Sequence, residues 1–438
     1  MPSWTTYLWP SSPGEMWILV VSALVNVACA LLGCYLLLRR MSLLGDAISH
    51  AVLPGLVLAY LLSGTLWIGW MLVGAFAAGL LTTFLTQWLE RQGGINVDAG
   101  MGLVFTSLFA LGVVLVKQYG QGVDLDADCV LQGQMAFMPE VPLFGHLVPR
   151  GLVSILPMFV ANALFVVIFW KELKISSFDP ALAETMGFRS GLLHYLLMAL
   201  VAATSVGAFE AVGSILVIAM LIVPAACAHL LTDRLSLMVL IAVAIAILTA
   251  WLGFVGATIY DTDPAGMMAV AAGLLFLAAV FFAPRYGIAS ALVRSLQVSL
   301  RIVCEDLLAM LYRVEEVAHD RPLFARDAVQ ALGGGVLPRW GLWRLTRGGL
   351  LQTEGGLLHL TGSGRERAAQ LVRSHRLWEA YLVEQLGLPL DHVHPPAERM
   401  EHFIDAQLRE ELAADLRSSA VDPHGRGIPE GKGKESDK

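Results

Sequence analysis

Apolar residues fill the first two thirds of the chain in blocks of membrane-spanning length, separated by short polar breaks. A helix that crosses the hydrocarbon core needs about 20 such residues, since each advances it by roughly 1.5 Å. Nine blocks qualify: 16–38, 46–62, 66–89, 99–116, 151–170, 192–209, 213–231, 235–254 and 267–282. The second is short and polar at its start. Only Glu210-Ala211-Val212 divides the sixth from the seventh, so the pattern predicts eight or nine spans. Arg39, Arg40, Arg91, Lys171, Lys174, Arg189, Arg234 and Arg285 fall on alternate sides of successive blocks. Placing them in the cytoplasm puts the N-terminus outside and the C-terminus inside, with Lys117 and Arg150 as exceptions. The loop 118–148 is then external. Its Asp124, Asp126 and Asp128 share the opening of a calcium loop but lack its Gly and distal Glu, so a solvated loop is the simpler reading.

Beyond Arg285 the pattern changes to amphipathic helices at soluble spacing. Residues 306–316 put Leu307, Leu308, Leu311 and Val314 on one side. Short helices are predicted at 326–332 and 338–345, either side of Gly333-Gly334-Gly335. Residues 351–360 read as two strands about Gly355-Gly356. Helix, turn, helix, hairpin is the order of a winged helix-turn-helix. A long helix to Leu386 follows, and the end of the chain from Gly425 is rich in Gly, Lys and Glu, a composition that predicts disorder.

Composition agrees with a split chain. Of 438 residues, 56% are hydrophobic and 15% charged, and the mean hydropathy is +0.67, a membrane-protein average. The net charge of −7 says little about partners, because most charges lie in the second part. Cys29, Cys34, Cys129, Cys227 and Cys304 form no CxxC pair, which excludes a zinc ribbon and predicts no disulfide framework. The N-terminus has no basic n-region and its first apolar block ends at Arg39-Arg40, as a retained anchor would. No GxxxxGK[ST] string occurs; Gly431-Lys432 has the wrong spacing and no strand before it.

Candidate chemistry stands out against this background. Asp46 and His50, at i and i+4 beside an apolar run, point the same way from one helix. Ionisable groups are expensive in lipid, so such a pair serves a polar path, and an oxygen and a nitrogen donor make a half-site for a divalent transition metal. Ser49 beside them has a simpler role in a backbone hydrogen bond. Glu210 and His229, at predicted helix ends, are weaker candidates. Between spans, Asp179 is an N-cap with Pro180 at the first helical position, and Gly187 is a stop. Farther on, His375 and Glu379 stand at i, i+4, while Glu398, Glu401 and His402 stand at i, i+3, i+4: two one-face metal half-sites.

Residues 41–55, Phe178-Asp179-Pro180-Ala181-Leu182-Ala183-Glu184-Thr185-Met186-Gly187, residues 213–226 and Leu230-Leu231-Thr232-Asp233-Arg234 resemble the permease subunits of ABC-type manganese, zinc and iron importers. The resemblance runs from about Trp17 to Phe282. It implies that Asp46 and His50 coordinate metal in the translocation path. It implies too that Asp179, Pro180, Ala183, Glu184 and Gly187 belong to a coupling helix seated in a cleft of the ATPase. Cytosolic ATPase subunits, a second permease chain (the same or a homologue) and an extracytoplasmic metal-binding protein follow as partners.

Residues 306–312, 360–379, 393–402 and Asp422-Pro423-His424-Gly425 resemble a second family, the metal-dependent regulators related to the diphtheria toxin repressor. That resemblance makes Asp306, Glu398, Glu401 and His402 primary metal ligands, and His375, Glu379 and His394 ancillary ones. Oxygen donors at 306 and 398 favour Mn²⁺, although one acidic ligand of the manganese-sensing branch is replaced by Ala309. In the predicted reading helix, Arg339, Arg344 and Arg347 are candidates for phosphate contacts with DNA, while Trp340 and Trp343 can simply pack. Small polar residues are missing from its start.

The expected architecture is an all-α polytopic membrane domain of about eight to nine transmembrane helices (1–285) and a linker (286–303). A cytosolic winged helix-turn-helix (304–362), helical metal-binding and dimerisation elements (363–429) and a disordered tail (430–438) follow. The expected function is that of a bacterial inner-membrane permease, not itself an enzyme, that imports Mn²⁺, or Zn²⁺ or Fe²⁺, with a metal-sensing domain. The alternatives are a membrane-tethered or cleaved metal-dependent repressor and a secondary transporter. The loop helix and the absence of an internal repeat disfavour the last.

Overall fold

The computed structural model describes residues 9–10, 12–41, 44–65, 67–119, 140–143, 146–317, 323–416 and 420–430. Two compact units meet between Ser290 and Ala291.

In the first unit, each expected span is met by a helix among the described residues. These are α1 (Pro13–Leu38), α2 (Leu44–Ser63), α3 (Ile68–Gly93), α4 (Val97–Tyr119), α5 (Arg150–Ile168), then α8 (Ser190–Val212), α9 (Ser214–Leu231), α10 (Leu235–Tyr260) and α11 (Pro264–Phe282). Seven are long and apolar enough to cross a membrane; α2 and α9 hold the shorter apolar stretches His50–Ser63 and Leu216–Leu231. Gly213, at φ 78°, ends α8 and opens α9, so the sixth and seventh blocks are separate helices. Short-range signals set several starts. Ser12 caps α1 ahead of Pro13, and the Asp263 carboxylate caps α11 by accepting from the Gly266 amide at 2.9 Å. Between α5 and α8 lie α6 (Trp170–Phe178) and α7 (Pro180–Thr185). A hairpin of β1 (Glu140–Leu143) and β2 (His146–Pro149) leads into α5. Asp124, Asp126 and Asp128 lie outside the described residues.

Lipid tails are as apolar as leucine, so small residues and interhelical hydrogen bonds, rather than hydrophobic burial, decide how such helices associate. A methyl group at Gly55 of α2 would strike the Gly74 carbonyl of α3, and one at Gly74 would strike the Gly55 carbonyl. Asn26 of α1 donates to the Ala246 carbonyl of α10 at 2.7 Å. Asn162 of α5 donates to Thr204 of α8 at 2.8 Å and to the Ala28 carbonyl at 3.2 Å. Tyr35, Ile48, Leu197, Met198 and Leu221 form the centre of the packed interior.

The second unit begins within α12 (Ile288–Val317), so the stretch expected as a linker is helical from Ile288. Then come β3 (Leu323–Phe324), α13 (Ala325–Ala331), α14 (Val336–Arg347), β4 (Leu351–Glu354) and β5 (Leu357–Leu360). The strands form an antiparallel sheet in the order β3-β5-β4, with Leu351 opposite Leu360. Gly355 and Gly356 turn the wing at φ 57° and 84°, a region open to glycine. Leu307, Leu308, Leu311, Ala328, Leu345, Leu351 and Leu358 fill the winged-helix core. The helix expected at 338–345 extends to Val336–Arg347. Pro338 is tolerated in its first turn, where an amide has no intrahelical acceptor. Gly341 is buried where a Cβ would come within 3.2 Å of Val303 of α12. The long α15 (Gly362–Glu384), α16 (His394–Met400) and α17 (Ala406–Asp415) complete the unit around Leu377, Ala380, Ile404 and Leu412. Residues 420–430 are ordered by a bridge between Val421 and Gly427 and by the Asp422 carboxylate, which accepts from the amides of His424 and Arg426. Disorder expected from Gly425 is therefore not found as far as residue 430; residues 431–438 lie outside the described set.

Candidate metal centres

α2 carries Asp46 and His50 one helical turn apart, on one face. The His50 ring stacks on Phe105 (centroids 5.8 Å apart) and meets the edge of Phe109 at 5.6 Å, both from α4. Pro54, inside the same helix, has no N–H to offer the His50 carbonyl. The side chains of Asp46, Ser49 and Glu210 lie outside the described set. His229 is exposed in the last turn of α9.

The loop helix α7 forms as its capping signals require. The Asp179 carboxylate accepts from the Leu182 amide at 2.9 Å, and Pro180 occupies the first helical position. Gly187 takes φ 86°, which lets the Phe188 amide reach back to the Ala183 carbonyl at 3.0 Å. Ala183 is buried, and Glu184 accepts a hydrogen bond from Ser190. Phe178, Leu182 and Met186 stand exposed at i, i+4, i+8. Arg39, marked in the sequence only as a topology signal, has a packing role too. It closes the end of α1 and donates to Ser176 (2.9 Å) and Ser177 (3.2 Å) of α6, and it meets His194 Nδ1 of α8 at 3.2 Å. These groups border a cavity of about 770 Å³ that Glu90, Asp98 and Glu184 also line.

In the second unit, two groups of ligand atoms converge among the described residues: Asp306, Glu401 and His402, and His375, Glu379 and His394. Donor atoms bound about 2.1 Å from one ion sit about 3 Å from each other. Asp306 Oδ1 is 3.2 Å from His402 Nε2. In the second group, Glu379 Oε1 lies 3.1 Å from His375 Nε2 and 2.9 Å from His394 Nδ1, and the two nitrogens are 3.0 Å apart. Both spacings suit a single ion per group.

The remaining ring nitrogens show how these histidines are oriented. His402 Nδ1–H donates to Glu305 Oε2 at 2.9 Å, and His375 Nδ1–H donates to Glu401 Oε2 at 2.6 Å. Each bond leaves Nε2 unprotonated in the neutral ring and aimed at its group, the arrangement that positions metal-binding imidazoles. Glu401 thus serves both groups, with Oε2 on His375 and Oε1 3.9 Å from His402 Nε2. Arg301 and Arg367 hold the other Glu305 oxygen at 3.2 and 3.4 Å, and Arg313 reaches Glu401 at 3.4 Å. Burial alone would lower the His402 pKa, but hydrogen bonds to Asp306 and Glu305 and the charges of Asp306 and Glu401 lift it to about 9. Burial would raise Glu379, yet His375 and His394 hold it down to about 2. His375 is also raised, its burial outweighed by Glu379 and Glu401.

Glu398, expected beside Glu401 and His402, is exposed one turn earlier on α16 and is not among the converging atoms. Two residues not singled out as ligands do approach. Glu305 orients His402, and His424 Nε2 lies 3.9 Å from Glu379 Oε1. Buried Arg376 fixes the His424 loop by pairing with Asp422 at 3.6 Å and donating to the Gly427 carbonyl. The Asp422-Pro423-His424-Gly425 motif was the available signal for His424; nothing local marks Glu305. Arg339, Arg344 and Arg347 are exposed on α14, with the Arg347 guanidinium 5.2 Å from the Trp343 ring centre.

A packed set of apolar helices with a capped loop helix, joined to a winged helix and paired His–carboxylate centres, defines a polytopic membrane transport subunit that carries a metal-binding domain. The chain belongs to the ABC 3 transport family, whose model matches residues 15–283. Residues 361–430 match the metal binding and dimerisation domain of iron dependent repressors. A manganese transport system membrane protein of Bacillus subtilis, MntD, is 43% identical over 285 residues, covering 64% of this chain and 96% of the relative. The zinc transport system membrane protein TroD of Treponema pallidum is 39% identical over 357 residues, 80% of this chain and 96% of that one. Among solved structures, PsaBC from Streptococcus pneumoniae in complex with Fab is similar at 31% identity and a TM-score of 0.54, covering 63% of this chain and 94% of that one.

Proposed function

We propose that this chain is the permease of an ATP-driven importer of a divalent transition metal, Mn²⁺ ahead of Zn²⁺ or Fe²⁺, and that its C-terminal domain senses the imported ion in the cytosol. The observation that carries the sensing half is the pair of histidines whose Nδ1–H groups are held by Glu305 and Glu401 while Nε2 faces a converging carboxylate. The donors are imidazole and carboxylate, with no thiolate in either group, and that set suits Mn²⁺, Fe²⁺ and Zn²⁺. Asp306, Glu401 and His402 hold one ion. Glu398, exposed one turn earlier, stays at the edge of that group, while His375, Glu379 and His394, closed by His424, hold a second.

Manganese and zinc transport by the relatives supports the cargo. In this chain Asp46 and His50 supply oxygen and nitrogen donors in the path. A cytosolic ATPase seats on α7 and its flanks, where Phe178, Leu182 and Met186 are exposed apolar side chains. A second permease chain, identical or homologous, encloses the path, and an extracytoplasmic binding protein delivers the ion. Metal held in the C-terminal centres slows transport, a coupling between two sites. Uptake of Mn²⁺ into proteoliposomes holding the full assembly tests both halves. Asp46→Asn with His50→Ala should abolish uptake. Glu401→Gln with His402→Ala should keep uptake fast under internal metal that slows the native chain. Undiminished uptake by the first pair would sink the transport reading, and unchanged inhibition in the second would sink the sensing one.

The winged-helix order of α12 to β5, with three exposed arginines on α14, supports a second reading, a membrane-tethered repressor. It requires a salt-dependent shift of duplex DNA by the full chain.

A further inference from the structure

The outward face of α14 has a composition that neither transport nor metal sensing uses. Val336, Arg339, Trp340, Trp343, Arg344 and Arg347 recur at three- and four-residue steps, on one stripe of the helix, and all are exposed. Val336 is 79% exposed, Trp340 50% and Trp343 53%, although large apolar side chains normally gain by burial. The opposite face cannot take them in. Pro338, Gly341 and Leu345 are buried there, and Gly341 presses so close to α12 that Cys304 Sγ lies 3.7 Å from its carbonyl. The helix is therefore locked with its tryptophans outward.

Charge narrows the partner. The chain as a whole carries −7, yet residues 321–350 hold five arginines against one aspartate. Tryptophan and arginine together match a lipid interface, where the indole ring sits at headgroup level and the guanidinium pairs with phosphate. DNA fits less well. A reading helix needs paired donors and acceptors at its first turn, and here that turn is Val336-Leu337-Pro338, while indole offers a single donor. The unit also starts at Ala291, close in sequence to the last apolar helix, which ends at Phe282, so a lipid surface is always at high local concentration.

We propose that this Trp–Arg face of α14 docks on anionic phospholipid of the membrane that holds the chain's own transmembrane helices. The proposal is independent of which ion is carried or sensed. The test is hydrogen–deuterium exchange of the full chain in nanodiscs, which expose both bilayer faces. Discs of phosphatidylcholine alone are compared with discs that also contain phosphatidylglycerol. Residues 336–347 should exchange several-fold more slowly in the anionic discs, and high salt should remove that protection. Trp340→Ser with Trp343→Ser should abolish it while exchange in Gly362–Glu384 stays unchanged, which shows the domain still folded. Each arginine replaced by Gln should weaken docking roughly fivefold. Equal exchange in both kinds of disc would overturn the proposal. So would protection that appears only when duplex DNA is added, which would assign the face to nucleic acid.

Discussion

The two regions proposed to bind metal have different surroundings. In the membrane unit, His50 sits against two phenylalanine rings on a helix that Pro54 interrupts. In the C-terminal unit, His375 and His402 are each tied by a carboxylate, and arginines tie those carboxylates in turn. A transport site must let go of its ion at every cycle. A sensing site must hold its ion long enough to report it, and outer hydrogen bonds that fix the ring and raise its basicity serve that end. On the proposed reading, the tied imidazoles of the C-terminal unit serve retention.

Glu401 offers the sharpest way to break this comparison. Because it faces both centres, Glu401→Gln should weaken Mn²⁺ binding to the purified full chain on the order of 100-fold in calorimetry, at both centres together. Loss of only one centre would show that they are independent. Uptake at low internal metal should be unaffected.

The next effect is on pH. Metal at His402 Nε2 displaces a proton from a group that titrates at about 9, so apparent affinity should rise up to about tenfold per pH unit below 9 and level off above it. In the metal-free chain the sign for stability is the reverse. The raised pKa stabilises the fold fully below about pH 6.5, and that contribution disappears as pH rises through about 9. Thermal unfolding with and without Mn²⁺ across that range reads both trends. A flat affinity profile would place the metal elsewhere.

Glu305→Ala should cost roughly tenfold in affinity at the Asp306 centre, because His402 loses its orienting acceptor. Glu305→Gln should recover part of it, since the amide oxygen still accepts from Nδ1–H. The smallest change is expected for Glu398→Ala, about threefold or less, because its exposed carboxylate stands outside the converging donors. A loss as large as that from Glu401→Gln would mean that metal draws Glu398 fully into the centre.

Much of this was legible in the sequence, and for identifiable reasons. The apolar blocks matched the membrane helices because burial of a helix in lipid is written as a run of adjacent residues. The start and stop of α7 followed from Asp179, Pro180 and Gly187, whose effects act within one turn. The six residues of the two converging groups were all among those expected to hold metal; i, i+4 spacing marked His375 and Glu379 locally, whereas Asp306 and His394 followed only from the family resemblance. The pattern failed where neighbours come from afar. Helical spacing put Glu398 with Glu401 and His402, but α16 ends at Met400, and Glu401 and His402 follow its close rather than extending its face. Gly341 and Pro338, poor helix formers in isolation, fit α14 because one allows close packing on α12 and the other falls in the first turn.

Sequence by itself determined the spans, the caps, the wing and the donor types, all consequences of hydrogen bonding and periodicity over a few residues. Tertiary structure alone decided which nitrogen of His375 and His402 faces the converging carboxylate, since that depends on Glu401 and Glu305, 26 and 97 positions away in the chain. It also decided that Arg39 ties α1 to α6 and that Trp340 and Trp343 look outward. Such choices rest on which surfaces meet once the chain has closed on itself, and no local pattern carries that information.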